Sequence, residues 1–171
     1  MDSSVKLAKQ AVENYIKTGR EMREPQGLEE DFYSRRAGVF VTIYNGKDLR
    51  GCIGTSVATQ DNLCLEIIRA GESACSRDIR FSPITVKELP ELTYEVSVLG
   101  ELKLVKSKQE LDPKKFGVLV EADSGRSGLL LPDIEGVDEA DYQLEIAADK
   151  GGIDLERDKV KIYIFEVEKH R

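Results

Sequence analysis

At 171 residues and 19.1 kDa, the chain has the length of one domain or of two small lobes, enough to bury a core without disulfide staples. Its 25 Lys and Arg stand against 32 Asp and Glu, a net charge of −7, which argues against duplex nucleic acid or an anionic membrane as the main partner. Three Cys and one His exclude a disulfide framework and most metal sites built from those residues.

The opening MDSSVKLAKQAVENY has no apolar leader, and no run reaches the roughly 18 apolar residues of a membrane span. An odd set of cysteines without an export signal reads as reduced thiols in the cytoplasm. Asp2, Ser3 and Ser4 offer caps for a first helix running to about Thr18, where Gly19 stops it. Val5, Ala8, Val12, Tyr15 and Ile16 share one face of it, and Leu7 lies off that stripe, either exposed or widening it. Residues 20–37, with Pro25 and Gly27, read as a charged loop anchored by Leu28 and Phe32. Gly38 opens a strand in which Val39, Val41 and Ile43 alternate with Phe40, Thr42 and Tyr44; apolar residues on both faces mark it as central. Asn45-Gly46 predicts a type I′ hairpin, with Leu49-Arg50-Gly51-Cys52-Ile53-Gly54 as the return strand. Thr59 or Asp61 caps the next helix, which turns Leu63, Ile67 and Ile68 inward and carries Cys64 and Cys75. A polar loop over 77–83 and a strand through Leu92, Tyr94, Val96 and Val98 follow.

The second half repeats this plan. An offset of 79 residues sets Gly117 against Gly38, Gly125 against Gly46 and Leu131 against Cys52. A return strand at 129–131 ends at Pro132, and a helix over about 138–149 turns Tyr142 and Ile146 inward, with Leu144 as a third candidate. Lys150-Gly151-Gly152 terminates that helix, Val160, Ile162 and Ile164 form a last strand, and residues 166–171, with His170, read as a solvated tail. The expected fold is α+β: a mainly antiparallel sheet flanked by helices, built from two hairpin-helix-strand units. The expected larger lobe takes about 1–115 with 155–171, and the smaller about 116–154.

Two glycines around a cysteine are unusual in a strand, where Gly marks a bulge or a close backbone approach. Arg50 beside them is a cation suited to lowering a thiol pKa or holding an oxyanion. LRGCIG, preceded by GVFVTIYNGKD, resembles the signature of the AMMECR domain family. Residues 74–83, ACSRDIRFSP, are similar to that family's ARDPRF-P stretch, with Ile79 where Pro is usual. TYEVSVL, the GLLLP at 128–132 and the KGG at 150–152 extend the likeness over about residues 5–168. The resemblance implies a larger and a smaller lobe with the signature facing a cleft between them. It implies no assigned reaction, and it names a Memo-type protein and a radical-SAM protein as companions.

Two functional readings follow. In one, the chain is an enzyme whose cleft centres on Cys52 as nucleophile, Arg50 as anion clamp and Asp78 as proton carrier. Arg80, Tyr44, Thr55, Gly51 and Gly54 then border a site for an anionic small molecule or peptide. In the other, the glycine-flanked strand is a docking surface for a partner, and general bases are scarce because the one His lies near the end of the chain. Each residue also has a plainer reading. Cys52 serves as a small core residue, Arg50 as the partner of Asp78 or Glu95, Asp78 as a loop stabiliser, Tyr44 as strand packing and Thr55 as a turn bond. Cys64 and Cys75, eleven residues apart, read as helix packing and not as a metal pair. The absence of a Walker loop, of G-x-G-x-x-G and of a metal-ligand set calls for no cofactor. The GxxG pairs at 51–54 and 125–128 lack the basic residues and flanking helices of an RNA-binding loop.

Overall fold

The computed structural model describes residues 2–171. In chain order its elements are α1 (Ser3–Thr18), α2 (Asp31–Ser34), β1 (Val39–Asn45), β2 (Asp48–Gly54), α3 (Leu63–Ser76), β3 (Leu92–Leu99), β4 (Lys103–Leu104), β5 (Gly117–Ala122), β6 (Ser127–Leu130), α4 (Ala140–Lys150), β7 (Val160–Phe165) and β8 (Val167–His170). They form two compact units, one of residues up to Val98 with Glu168–Arg171, the other Leu99–Val167.

In the first unit the strand order is β2-β1-β3-β8, so β1 is central and β2 is an edge. Val39, Val41 and Ile43 are fully buried, and α3 lies against β1 and β2 with α1 packed on α3. Each such side chain contributes about 1.5–3 kcal/mol by leaving water. Asp2 caps α1 by accepting the Ser4 amide at 2.8 Å, and Gly19 ends it in the left-handed conformation at φ 69°. Leu7 is buried, so of its two readings the wider apolar stripe of α1 holds. The β1–β2 hairpin forms as expected, but Asn45 pairs with Asp48 and only Gly46 has positive φ. That is the pattern of a II′ turn, not of I′, which needs positive φ at both central residues. The cap of α3 is Asn62, whose side chain accepts the Leu65 amide at 3.0 Å. Thr59 is drawn away because its amide and hydroxyl both donate to Glu66.

The second unit has the order β6-β5-β7-β4, and α4 packs on β5 and β6. Each unit is therefore a hairpin followed by a helix and then a strand that pairs antiparallel with the first hairpin strand. The repeated plan holds, but with a different register. Gly51 lies opposite Ile43 and Gly128 opposite Val120. A Cβ on Gly51 would strike the Ala74 carbonyl oxygen of α3, and one on Gly128 would strike the Ala147 carbonyl oxygen of α4. Matching these helix-facing glycines puts Leu129, not Leu131, in the place of Cys52.

Two further expectations are corrected. Tyr142 is 50% exposed, because α4 buries Gln143, Leu144, Ala147 and Ala148 instead. Gln143 belongs to that stripe because its amide donates to the Phe116 carbonyl at 2.9 Å. The end of the chain is no solvated tail: β8 joins the first sheet, and Arg35 grips Glu168 through two hydrogen bonds of 3.1 and 3.0 Å. β7 pairs with β5, so the second unit reaches past the 116–154 segment that the sequence marks.

Candidate functional site

The register around Cys52 sets what each atom of the signature meets. Val41 opposite Ile53 is a hydrogen-bonded pair of the ladder, so the N–H and C=O of Cys52, one residue away, point from β1 toward the open edge. They are met there by side chains. Asp78 Oδ2 accepts the Cys52 amide at 2.9 Å, and Arg80 Nη2 donates to the Cys52 carbonyl at 3.3 Å. Arg80 also clasps the Asp78 carboxylate through Nε at 2.9 Å and Nη2 at 2.7 Å. An acid-base pair thus imitates the main chain of a neighbouring strand and closes the edge at this point. The Arg80 hydrogen bonds, offset by burial and reinforced by the Cys52 amide, hold the Asp78 carboxyl at about 2. A carboxylate so stabilised is a weak proton acceptor at neutral pH.

Arg50 does not join this pair. Its Nε donates to Glu88 Oε1 at 2.6 Å, Nη1 to the Ser82 carbonyl at 2.8 Å and Nη2 to the Pro83 carbonyl at 3.4 Å. The partner is Glu88, where the sequence suggested Asp78 or Glu95. After α3 the chain turns so that Ile84 N donates to Cys75 O, which carries residues 82–88 alongside Arg50. Glu88 accepts the Thr85 amide and hydroxyl as well, and the Arg50 hydrogen bonds lower its pKa. The signal for Glu88 was present as the capping-box spacing Thr85-x-x-Glu88.

The Cys52 side chain faces away from α3, in a row with Thr42 on β1 and Glu95 on β3. Cys52 Sγ and Thr42 Oγ1 are 3.3 Å apart. Glu95 accepts from Arg171 Nε at 2.6 Å. Tyr44 shares this face half-buried, and burial, with the negative charge of Glu95 and of Cys52, raises its phenol above the ordinary value. Thr42 and Glu95 were missed as neighbours of Cys52 because only the cross-strand register brings them together.

Gly51 and Gly54 contribute space. Gly51 lets β2 lie against the last turn of α3, and a Cβ on Gly54 would collide with the Val39 carbonyl oxygen. Thr55 leaves the strand: its hydroxyl has Val57 O at 2.8 Å and Glu66 Oε1 at 3.0 Å. The buried Glu66 carboxylate also takes the amides of Thr59 and Gln60, both at 2.7 Å, and so pins the loop after β2. Cys64 and Cys75 are buried in α3, where burial pushes their thiols up to about 11 and about 12. Among the described residues no group of three or more His, Cys, Asp or Glu is placed to hold a metal, and no helix is long and apolar enough to cross a membrane.

The structure therefore brings Asp78 and Arg80 onto the main chain of Cys52, with the Arg80 charge also in electrostatic reach of the Cys52 thiol, and places Arg50 in a separate clamp. A Thermotoga maritima protein is 44% identical over 168 residues, covering 98% of this chain and 96% of that protein. A Clostridium acetobutylicum protein is 40% identical over 171 residues, and the chain spans 36% of its length. The crystal structure of uncharacterized protein PH0010 from Pyrococcus horikoshii superposes with a TM-score of 0.87 at 31% identity, covering 97% of this chain and 88% of that one. The AMMECR1 family pattern matches residues 5–170, and the chain belongs to the AMMECR1 family.

Proposed function

We propose that the chain is a binding component, acting in the cytoplasm with a Memo-type protein and a radical-SAM protein, and that β2 with the loop after α3 is its docking surface. One observation carries this reading. The acid and the guanidinium nearest Cys52 are spent on the main chain of β2, and between them Ile79 stands 99% exposed. A rigid frame that presents an apolar residue to water fits a protein contact better than proton transfer.

The experiment is a binding titration of the full chain against purified Memo-type and radical-SAM proteins from the same genome. The expected result is a complex with at least one of them that survives Cys52→Ala and is weakened about tenfold, or about 1.4 kcal/mol, by Ile79→Asp. No complex with either companion, or indifference to Ile79→Asp, counts against the reading. A second reading, an enzyme with Cys52 as nucleophile and Arg50 as anion clamp, is favoured by the polar row of Cys52, Thr42, Tyr44 and Glu95. It requires loss of cellular function in both Cys52→Ala and Cys52→Ser with the complex intact.

A further inference from the structure

A groove of about 410 Å³ lies between the end of β2 and the face of α3 that carries Glu66, Ala70 and Ser73, with Ile53, Gly54 and Arg77 on its border. By the alternation that turns the Cys52 amide toward Asp78, Gly54 also points its N–H and C=O away from β1. At Cys52 the Asp78–Arg80 pair fills this edge; at Gly54 no group of the described residues donates to it or accepts from it. The groove therefore begins where the side-chain plug ends.

Its charges divide in a telling way. Glu66 is consumed by the Thr55–Gln60 loop, and Arg69 is held by Glu21 and Glu72. Arg77, exposed at the end of α3, closes no ion pair within 4 Å among the described residues and reaches the buried Glu72 carboxyl only through its longer-range charge, so its guanidinium donors face the groove. An edge strand flanked by a helix is the arrangement in which an extended peptide adds as a further strand, the main chain supplying affinity and side-chain sites supplying selectivity. A planar, permanently charged guanidinium selects a carboxylate.

The geometry points to this groove as a site for an extended peptide segment of a partner, paired with the Gly54 main chain and presenting a carboxylate to Arg77. The inference rests on the docking reading above and names its occupant. Asp78 and Arg80 stop the edge at Cys52, so the peptide pairs with the one outward-facing residue left before β2 ends, Gly54.

The test is to pan a phage-displayed library of random dodecapeptides on the immobilised full chain and to synthesise the enriched sequences. Enriched peptides are expected to hold an Asp, a Glu or a free C-terminus at a constant position. They are expected to shift the amide resonances of Ile53, Gly54 and Thr55, and to bind at least tenfold more weakly to Arg77→Glu. Ser73→Tyr, which fills the groove, should weaken them equally with the thermal midpoint of folding unchanged. No enrichment, peptides that ignore both substitutions, or equal competition by free glutamate overturns the proposal, the last by reducing the site to a small-anion pocket. Companion binding without groove peptides would sink this inference and leave the docking reading standing. Groove peptides without companion binding would do the reverse.

Discussion

Gly51→Ala is expected to destabilise the protein by about 3 kcal/mol, lowering the thermal midpoint by roughly 6–12 °C. The added methyl would enter the Ala74 carbonyl oxygen, which is main chain of α3 and has no rotamer by which to yield. Relief would require β2 to lift from the helix, and with it the Cys52 main chain that Asp78 and Arg80 hold. Gly46→Ala is the control. It meets nothing in space but holds φ at 61°, so it should cost only about 1 kcal/mol. Gly128→Ala should reproduce the larger loss, since its methyl would enter the Ala147 carbonyl oxygen in the same way. Chemical unfolding of the three variants decides the matter: a Gly51→Ala protein as stable as the wild type would mean that the glycine serves something other than packing.

Asp78→Ala is the second large effect. It strands the Cys52 amide and removes the carboxylate that Arg80 grips, for an expected loss of about 2–3 kcal/mol at neutral pH. Arg80 is half exposed and recovers water, which keeps the loss below that of a fully buried broken pair. The pH dependence has a definite sign. The folded carboxyl is held at about 2 against 3.8, so its stabilisation is complete above the unfolded value and disappears as pH falls from about 5 to about 2. The span corresponds to about 2 kcal/mol. Glu88 and Glu168 are also lowered, so the quantity to measure is the wild-type minus Asp78→Ala difference in unfolding free energy. That difference should shrink steadily over this window. A difference independent of pH would show that Asp78 contributes no charge-dependent stability.

Much of the architecture was legible in the sequence because it is written in short-range signals. The alternation of Val39, Val41 and Ile43 marked β1 as a buried strand, the glycine after Asn45 marked the hairpin, and the second run at Gly117 marked the repeat. What escaped depended on partners distant in the chain. Tyr142 looked inward-facing on apolarity alone, but the α4 stripe runs through Gln143, whose amide finds a buried carbonyl. Four of the six residues 166–171 are charged and the segment reads as solvent-facing, yet Arg35 and Glu95 lie ready to pair with Glu168 and Arg171.

The candidate site divides the same way. The prominence of Gly51, Cys52 and Gly54 was plain from composition, and the reason for the glycines follows once α3 and β1 are in place. The allegiance of the charged residues was not readable. For Arg50 the sequence suggested Asp78 or Glu95, and the turn that places Ile84 under Cys75 awards it Glu88 instead. Asp78 was a candidate proton carrier by residue type, but the register of β2 makes it the acceptor of a main-chain amide.

On the docking reading, the signature strand is held by structural bonds that do not arm Cys52 as a nucleophile. The rate of iodoacetamide alkylation of the folded protein at pH 7, beside glutathione under the same conditions, tests this. Cys64 and Cys75 are buried and leave the signal to Cys52, with Cys52→Ala as the blank. Alkylation no faster than that of glutathione is expected. A rate ten or more times faster, abolished by Cys52→Ala, would show an activated thiol and overturn the docking reading.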